Sequence, residues 1–168
     1  MRSEIVQHGE LTSVSISNDS RFAIVSHAPN EVLYIDLRDG TIVRRYQGHD
    51  QGLYVLKSCF GGMLQNYVMS GSEGQSTFPF DPIIRRVCRT DALVADGQIY
   101  VWHRDTGHLI SVLSGHGAGT VNAVAWNPVG PAQFASVSDD ATVRIWSLPA
   151  GTTGARRDSP RKSVAFAP

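Results

Sequence analysis

The stretch TVNAVAWNPVGPAQFASVSDDATVRIWSL, Thr120 to Leu148, contains three short runs, TVNAVAW, QFASVSDD and TVRIWSL, in which apolar and polar residues alternate. A period of two with β-branched and aromatic side chains at the apolar positions reads as a half-buried strand. Three such runs in succession predict an antiparallel meander.

The pattern recurs upstream. EVLYIDL (31–37) and GQIYVWHR (97–104) align without gaps with TVRIWSL (142–148) around Ile35, Trp102 and Trp146. Each follows a second strand-like run: RFAIVSH (21–27), NYVMSGSE (66–73) and QFASVSDD (133–140). Before these come TSVSIS, YVLKSCF and TVNAVAW. After the first two come TIVRRYQGH and HLISVLSGH, joined through the turn formers Asp39-Gly40 and Thr106-Gly107. Four short antiparallel strands therefore make one unit. Trp102 and Trp146 lie 44 residues apart, whereas Ile35 and Trp102 lie 67 apart, as do His49 and His116. Setting aside the 22 residues 74–95 reduces 67 to 45, and the period becomes uniform.

A four-stranded unit of 40–45 residues, with Gly-His ahead of it and Trp near its end, resembles a WD40 propeller blade. The implied fold is all-β: a fragment of a WD40 β-propeller with about three four-stranded antiparallel blades, not a closed ring. By the same resemblance, His116, Ser136, Asp140 and Trp146 form a structural tetrad within one blade, and His49, Ser70, Asp96 and Trp102 form its counterpart. The donor and acceptor inventory balances, because indole only donates, carboxylate only accepts, and Ser and neutral His do both. The first blade has Ser26 but Ile35 where Trp is expected, so it is expected to hold by packing alone. The Asp of the Trp-Asp dipeptide survives only as Asp36, becoming His103 and Ser147 in the other units.

Ser, His and Asp also compose hydrolase triads. Here the set recurs with each repeat, includes a Trp and belongs inside a blade, so a structural role is expected and no catalytic residue is assigned. His103 and His108 flank a hairpin turn and lack a third ligand nearby, so no metal or cofactor site is assigned. Cys59 and Cys88 form neither a disulfide framework nor a zinc set.

The 15 basic and 15 acidic residues of this 168-residue chain balance, giving no electrostatic case for nucleic acid or membrane partners. No small-molecule substrate is expected. No apolar run approaches the roughly 18 residues of a membrane span, and MRSEIVQHGE has no apolar core of signal-peptide length. The expected location is cytoplasmic, and also nuclear.

The expected organisation is residues 1–9 as the end strand of a preceding blade, 10–49 as a degenerate blade and 50–116 as a blade interrupted at 74–95. An incomplete blade at 117–148 and a disordered polar tail at 149–168 follow. The tail carries a basic cluster, ARRDSPRK, around Ser159-Pro160, expected to be solvated. Removing 74–95 joins SGSE to DGQIYVWH as strand, Asp-Gly turn and strand. Two prolines and a long loop at a tight turn argue for an insertion there, read as a retained intron in preference to a partner-binding loop.

The strings SCFGG, VMSGSE, IYVWHRDTGHLI and VNAVAWNPVGPAQFASVSDDATVRIWS, together with TSVSISNDSRFAIV and EVLYIDLRDG, look like the carboxy-terminal blades of the WD40 subunit of the GID/CTLH ubiquitin ligase complex. The resemblance covers about residues 10–148 without the interruption. It implies a noncatalytic scaffold that joins other ligase subunits and helps present substrates for ubiquitin-dependent degradation, with the RING subunits on separate chains. That family also carries an amino-terminal LisH and CTLH helical region, which no part of this chain matches. Propeller partners dock on loops between strands, which here include Asn18, Asp19, Arg21, Asn30, Arg104 and Asp105. The alternatives are a WD40 scaffold of another pathway, or a truncated or incorrectly spliced product without independent function.

Overall fold

The computed structural model describes residues 4–73, 96–130 and 132–147. Eleven strands account for their regular structure: β1 (Glu10–Ile16), β2 (Phe22–Ala28), β3 (Glu31–Asp36), β4 (Ile42–Gln47), β5 (Cys59–Gly61), β6 (Tyr67–Gly71), β7 (Asp96–His103), β8 (Leu109–Ala118), β9 (Val121–Trp126), β10 (Gln133–Ser138) and β11 (Val143–Ser147). They form three antiparallel sheets, β1-β2-β3-β4, β5-β6-β7-β8 and β9-β10-β11, each a meander in chain order. The chain is thus an all-β, partial propeller of three blades, and the described strands do not close into a ring.

The alternation that marks the strands also assigns their faces. Adjacent residues of β6 point to opposite sides, so Val68 joins one core and Met69 the other. The first core, between sheets one and two, gathers Ile24, Val32, Tyr34, Tyr46, Phe60, Val68 and Trp102. The second, between sheets two and three, gathers Met69, Ile99, Val121, Val124 and Phe134, with Trp126 and Trp146 packed against it. Fully burying each large apolar side chain stabilises by roughly 1.5–3 kcal/mol, so these two layers hold the sheets face to face.

Sheets two and three also meet through backbone. The Val121 amide donates to the Ser72 carbonyl at 3.1 Å, and a Cβ at Gly71 would lie 1.9 Å from the Val121 carbonyl oxygen. Only glycine allows that approach.

Residues 4–7 belong to no strand, since a lone segment has no neighbour to share a ladder with. Ile5 instead lines an apolar groove of about 180 Å³ on the outer face of sheet one, with Leu11, Val14, Leu33, Ile35 and Leu37. Residues 54–58 lie outside β5, which is limited to Cys59–Gly61, while Lys57 makes a single parallel bridge to Ala123. Cys88, residues 74–95 and the tail from 149 lie outside the described residues.

Candidate functional site

The polar centre of sheet three is built at the turn between β10 and β11. Asp140 in this turn accepts from its own neighbours, the Thr142 amide at 2.9 Å and the Thr142 hydroxyl at 2.6 Å, and from the Gly117 amide at 3.1 Å. Its other contact is His116 Nδ1, at 3.0 Å from Oδ2. On the far side of the ring, His116 Nε2 lies 2.6 Å from Ser136 Oγ, which in turn accepts from Trp146 Nε1 at 2.8 Å. Because indole can only donate, the relay runs one way: Trp146 N–H to Ser136, Ser136 O–H to His116 Nε2, and His116 Nδ1–H to the carboxylate. The structure therefore brings His116, Ser136, Asp140 and Trp146 together.

Electrostatics agree with that direction. Burial pushes the His116 imidazole below its ordinary value despite the neighbouring carboxylate, so the ring is neutral at neutral pH. Burial would raise the Asp140 carboxyl, but donors from Thr142, His116 and Gly117 outweigh it and hold the group well below the usual carboxylate range. His116 is 4% and Ser136 1% exposed. Buried, donating its proton to imidazole and accepting from the indole, Ser136 Oγ meets a substrate carbonyl only if the blade opens.

The counterpart in sheet two is arranged differently. Trp102 Nε1 donates to the Gln47 carbonyl at 3.0 Å, not to Ser70. Both ring nitrogens of His49 and the hydroxyl of Ser70 are buried without a hydrogen-bond partner among the described residues. Asp96, expected at a turn, begins β7, where its backbone pairs with Ala118. His49 packs edge-on against Trp102, with ring centroids 5.5 Å apart, and Trp102 stacks on Tyr100. Thus His49, Ser70 and Trp102 share one region without the relay of sheet three. Glycine placement separates the two cases: a Cβ at Gly115 would strike the Trp146 ring at 2.3 Å, whereas at Gly48 the nearest atom would be on Tyr100 at 3.9 Å. Trp146 is seated over its glycine, and Trp102 is not.

Sheet one is not held by packing alone. Ser26 lies 2.7 Å from Ser13 and 2.8 Å from Ser58, a chain of hydroxyls reaching the connection that leads into sheet two. Ile35, which cannot donate, fills the Trp position as a buried apolar residue.

The loop residues fall at two ends of the sheets. Asn18 donates its amide to Gln65, and Asp19 accepts from Ser17 and the Arg21 amide, which lower its pKa. Arg21 reaches Asp36 at 3.1 Å through both Nε and Nη2, and its guanidinium sits 4.7 Å over the Phe22 ring. Arg104 pairs with Asp105, and its carbonyl accepts from Tyr46 at 2.6 Å. His103 Nδ1 accepts the Thr106 amide within the β7–β8 turn. These contacts gather the β1–β2, β5–β6 and β7–β8 turns into one rim. Asn30 lies elsewhere, its side chain accepting the Gln51 amide at 2.6 Å, and so ties two connections together. Burial pushes the Cys59 thiol up to about 12, leaving it protonated and unsuited to nucleophilic attack.

One feature was missed in the sequence. The Glu73 carboxylate accepts the amides of Gly52, Leu53 and Tyr54 at 2.7, 3.2 and 2.8 Å. It pins a loop whose Leu53 side is 92% exposed, followed by half-exposed Tyr54 and Val55. The only hint was an acidic residue closing the string VMSGSE, with nothing to say which amides it meets.

Comparison with known proteins accords with this geometry. The family described as WD domain, G-beta repeat matches residues 107–147, which carry the relay. GID complex subunit 7 of Schizosaccharomyces pombe is 38% identical over 159 residues, covering 95% of this chain and 25% of that protein. WD repeat-containing protein 26 homologs are 39% identical over 145 residues in Arabidopsis thaliana and 37% over 137 in Drosophila melanogaster, covering 86% and 81% of this chain but 21% and 18% of theirs. The chain spans about a quarter or less of the length of these relatives. With its repeated four-stranded meanders and its Trp-Ser-His-Asp relay, the chain belongs to the WD40-repeat proteins.

Proposed function

We propose that this chain is a noncatalytic protein-interaction scaffold serving a GID-type ubiquitin ligase, where it helps to bring substrates to ubiquitin-dependent degradation. The observation that carries the reading is the 38% identity, over 95% of the chain, with a protein named for that complex. The buried relay supports it, since the Ser-His-Asp grouping that the described residues bring into hydrogen-bond contact is spent on holding a blade. Its partners are then other ligase subunits and substrates, met in the cytoplasm and nucleus, with blades at 10–49, 50–116 and 117–148 as the binding frame. Affinity purification of the tagged chain from cells, with mass spectrometry, is the test. Co-purification of GID subunits is the expected result, and their absence from a well-expressed sample overturns the reading.

A second reading, a WD40 scaffold of another pathway, is favoured by 31% identity over 140 residues with Protein Atg16l2 of Homo sapiens. Recovery of a stable set of partners without GID subunits would select it.

A further inference from the structure

The three sheets pack through faces that repeat. Their second and third strands share one register: Ile24 stands opposite Tyr34, Met69 opposite Val101, and Ala135 opposite Ile145. Ile24 and Tyr34, with Val32, face sheet two, and Met69 and Val101, with Ile99, face sheet three. The same places in sheet three are held by Ala135, Ile145 and Val143, and there Ile145 is 64% exposed. The opposite faces repeat as well. Val68 pairs with Trp102, Phe134 with Trp146 and Ala23 with Ile35. The first two pairs pack against the preceding sheet. The third looks outward, and with Ile5 and Val14 it lines the apolar groove of about 180 Å³.

We infer that the outer face of sheet three docks on the outer face of sheet one of a second copy of this chain. The contact repeats, between copies, the one that the Met69 face of sheet two makes with sheet three. Shape supports this occupant. Where sheets two and three fill the face with an indole, sheet one has Ile35 and Ala23 and so leaves a groove. Its volume exceeds the roughly 150 Å³ of an apolar cavity that takes up benzene, which gives the branched side chain of Ile145 room to enter. Charge supports it too. The face of sheet three that carries Ile145 is built from Ala123, Ala125, Ala135, Val137, Val143 and Ile145, with no charge among them. On the face of sheet one, Glu31 and Arg45 already pair at 2.6 Å, so docking there buries no lone charge. Within one copy sheet two stands between the two outer faces, and they meet only across copies. Each copy then contributes a different surface, which makes the contact heterologous. This concerns association of the chain with itself and stands apart from any ligase role.

The test is analytical ultracentrifugation of the 168-residue chain, of Val14→Lys, of Ile145→Lys, and of an equimolar mixture of the two variants. Val14 is 67% exposed, and both variants are expected to keep the melting midpoint of the unaltered chain. The unaltered chain is expected to associate. Each variant alone is expected to do so at least about tenfold more weakly, because the lysine lies in the contact. The mixture is expected to regain association, since Val14→Lys keeps an intact sheet three and Ile145→Lys an intact sheet one. Ile16→Glu and Val143→Glu form a second pair with the same expected pattern, so that a folding defect in one variant does not decide the result. A chain that stays monomeric at high concentration overturns the inference, because its faces are then covered by something other than a second copy. So does association that either variant alone leaves intact, as contact between like faces would give. A mixture that associates no better than its components overturns it as well.

Discussion

Ser136 is the smallest member of the relay and the one on which its neighbours converge. Removing its hydroxyl by Ser136→Ala strands an indole N–H and an imidazole nitrogen in the sheet, which should cost about 2–4 kcal/mol in chemical denaturation. Trp146→Ala should cost about 3 kcal/mol, at the low end for a large truncation, because Trp146 is only partly buried. A melting curve unchanged by either substitution would remove the relay from the account of stability. His49 supplies a pH signature. Burial pushes its folded pKa down to about 4 from 6.5. Between those values the unfolded chain holds a proton that the folded chain refuses. Stability is thus fully present above pH 6.5 and declines as pH falls toward 4, by up to about 3 kcal/mol. His116 acts in the same direction. Urea midpoints should fall across that window and flatten in His49→Leu; a flat wild-type profile would show that His49 is solvated. The identities of these residues were legible in the repeat alignment. Their bonding was legible only for sheet three, because an Asp meets a His only when the turn carrying it has the right length.

At the scale of elements, the decisive contact is backbone against backbone. β6 and the start of β9 approach so closely at Gly71 that any side chain there collides with the Val121 carbonyl, which cannot swing aside as a flexible side chain would. Gly71→Ala should therefore lower stability by about 3 kcal/mol or more, as overpacking in a rigid place does, and should loosen protection of the Val121 amide in hydrogen exchange. Retained protection and an unchanged midpoint would contradict this geometry. Strand existence and order could be read from alternation, but the strand expected over 54–60 proved shorter. Apolar residues at 53–55 face outward on a loop that Glu73 anchors, a long-range bond that periodicity cannot register. Likewise, Ser26 was placed correctly in its strand, yet its partners are Ser13 on β1 and Ser58 just ahead of β5.

At the scale of the molecule, two outer sheet faces meet no neighbour among the described residues. On sheet one, Leu11, Val14 and Ile16 are exposed beside the apolar groove, and on sheet three Val137, Val143 and Ile145 are exposed. Apolar faces and unpaired strand edges of this kind favour association. The isolated chain should bind a hydrophobic dye and self-associate, and Val14→Lys with Ile145→Lys should reduce both. A monomer at high concentration that leaves the dye dark would mean these faces are covered in solution.

The sequence by itself determined the architecture: three meanders of short strands, their order and the residues of the relay in sheet three. These are local or periodic properties, since alternation, turn formers and a repeat of 44–45 residues follow from neighbouring positions along the chain. Tertiary structure alone decided which polar groups are satisfied. The same four residue types give a closed relay at His116 and, among the described residues, unpartnered nitrogens at His49, because hydrogen bonding depends on where a turn sets down an acceptor within a few tenths of an ångström, and composition and spacing carry no such information.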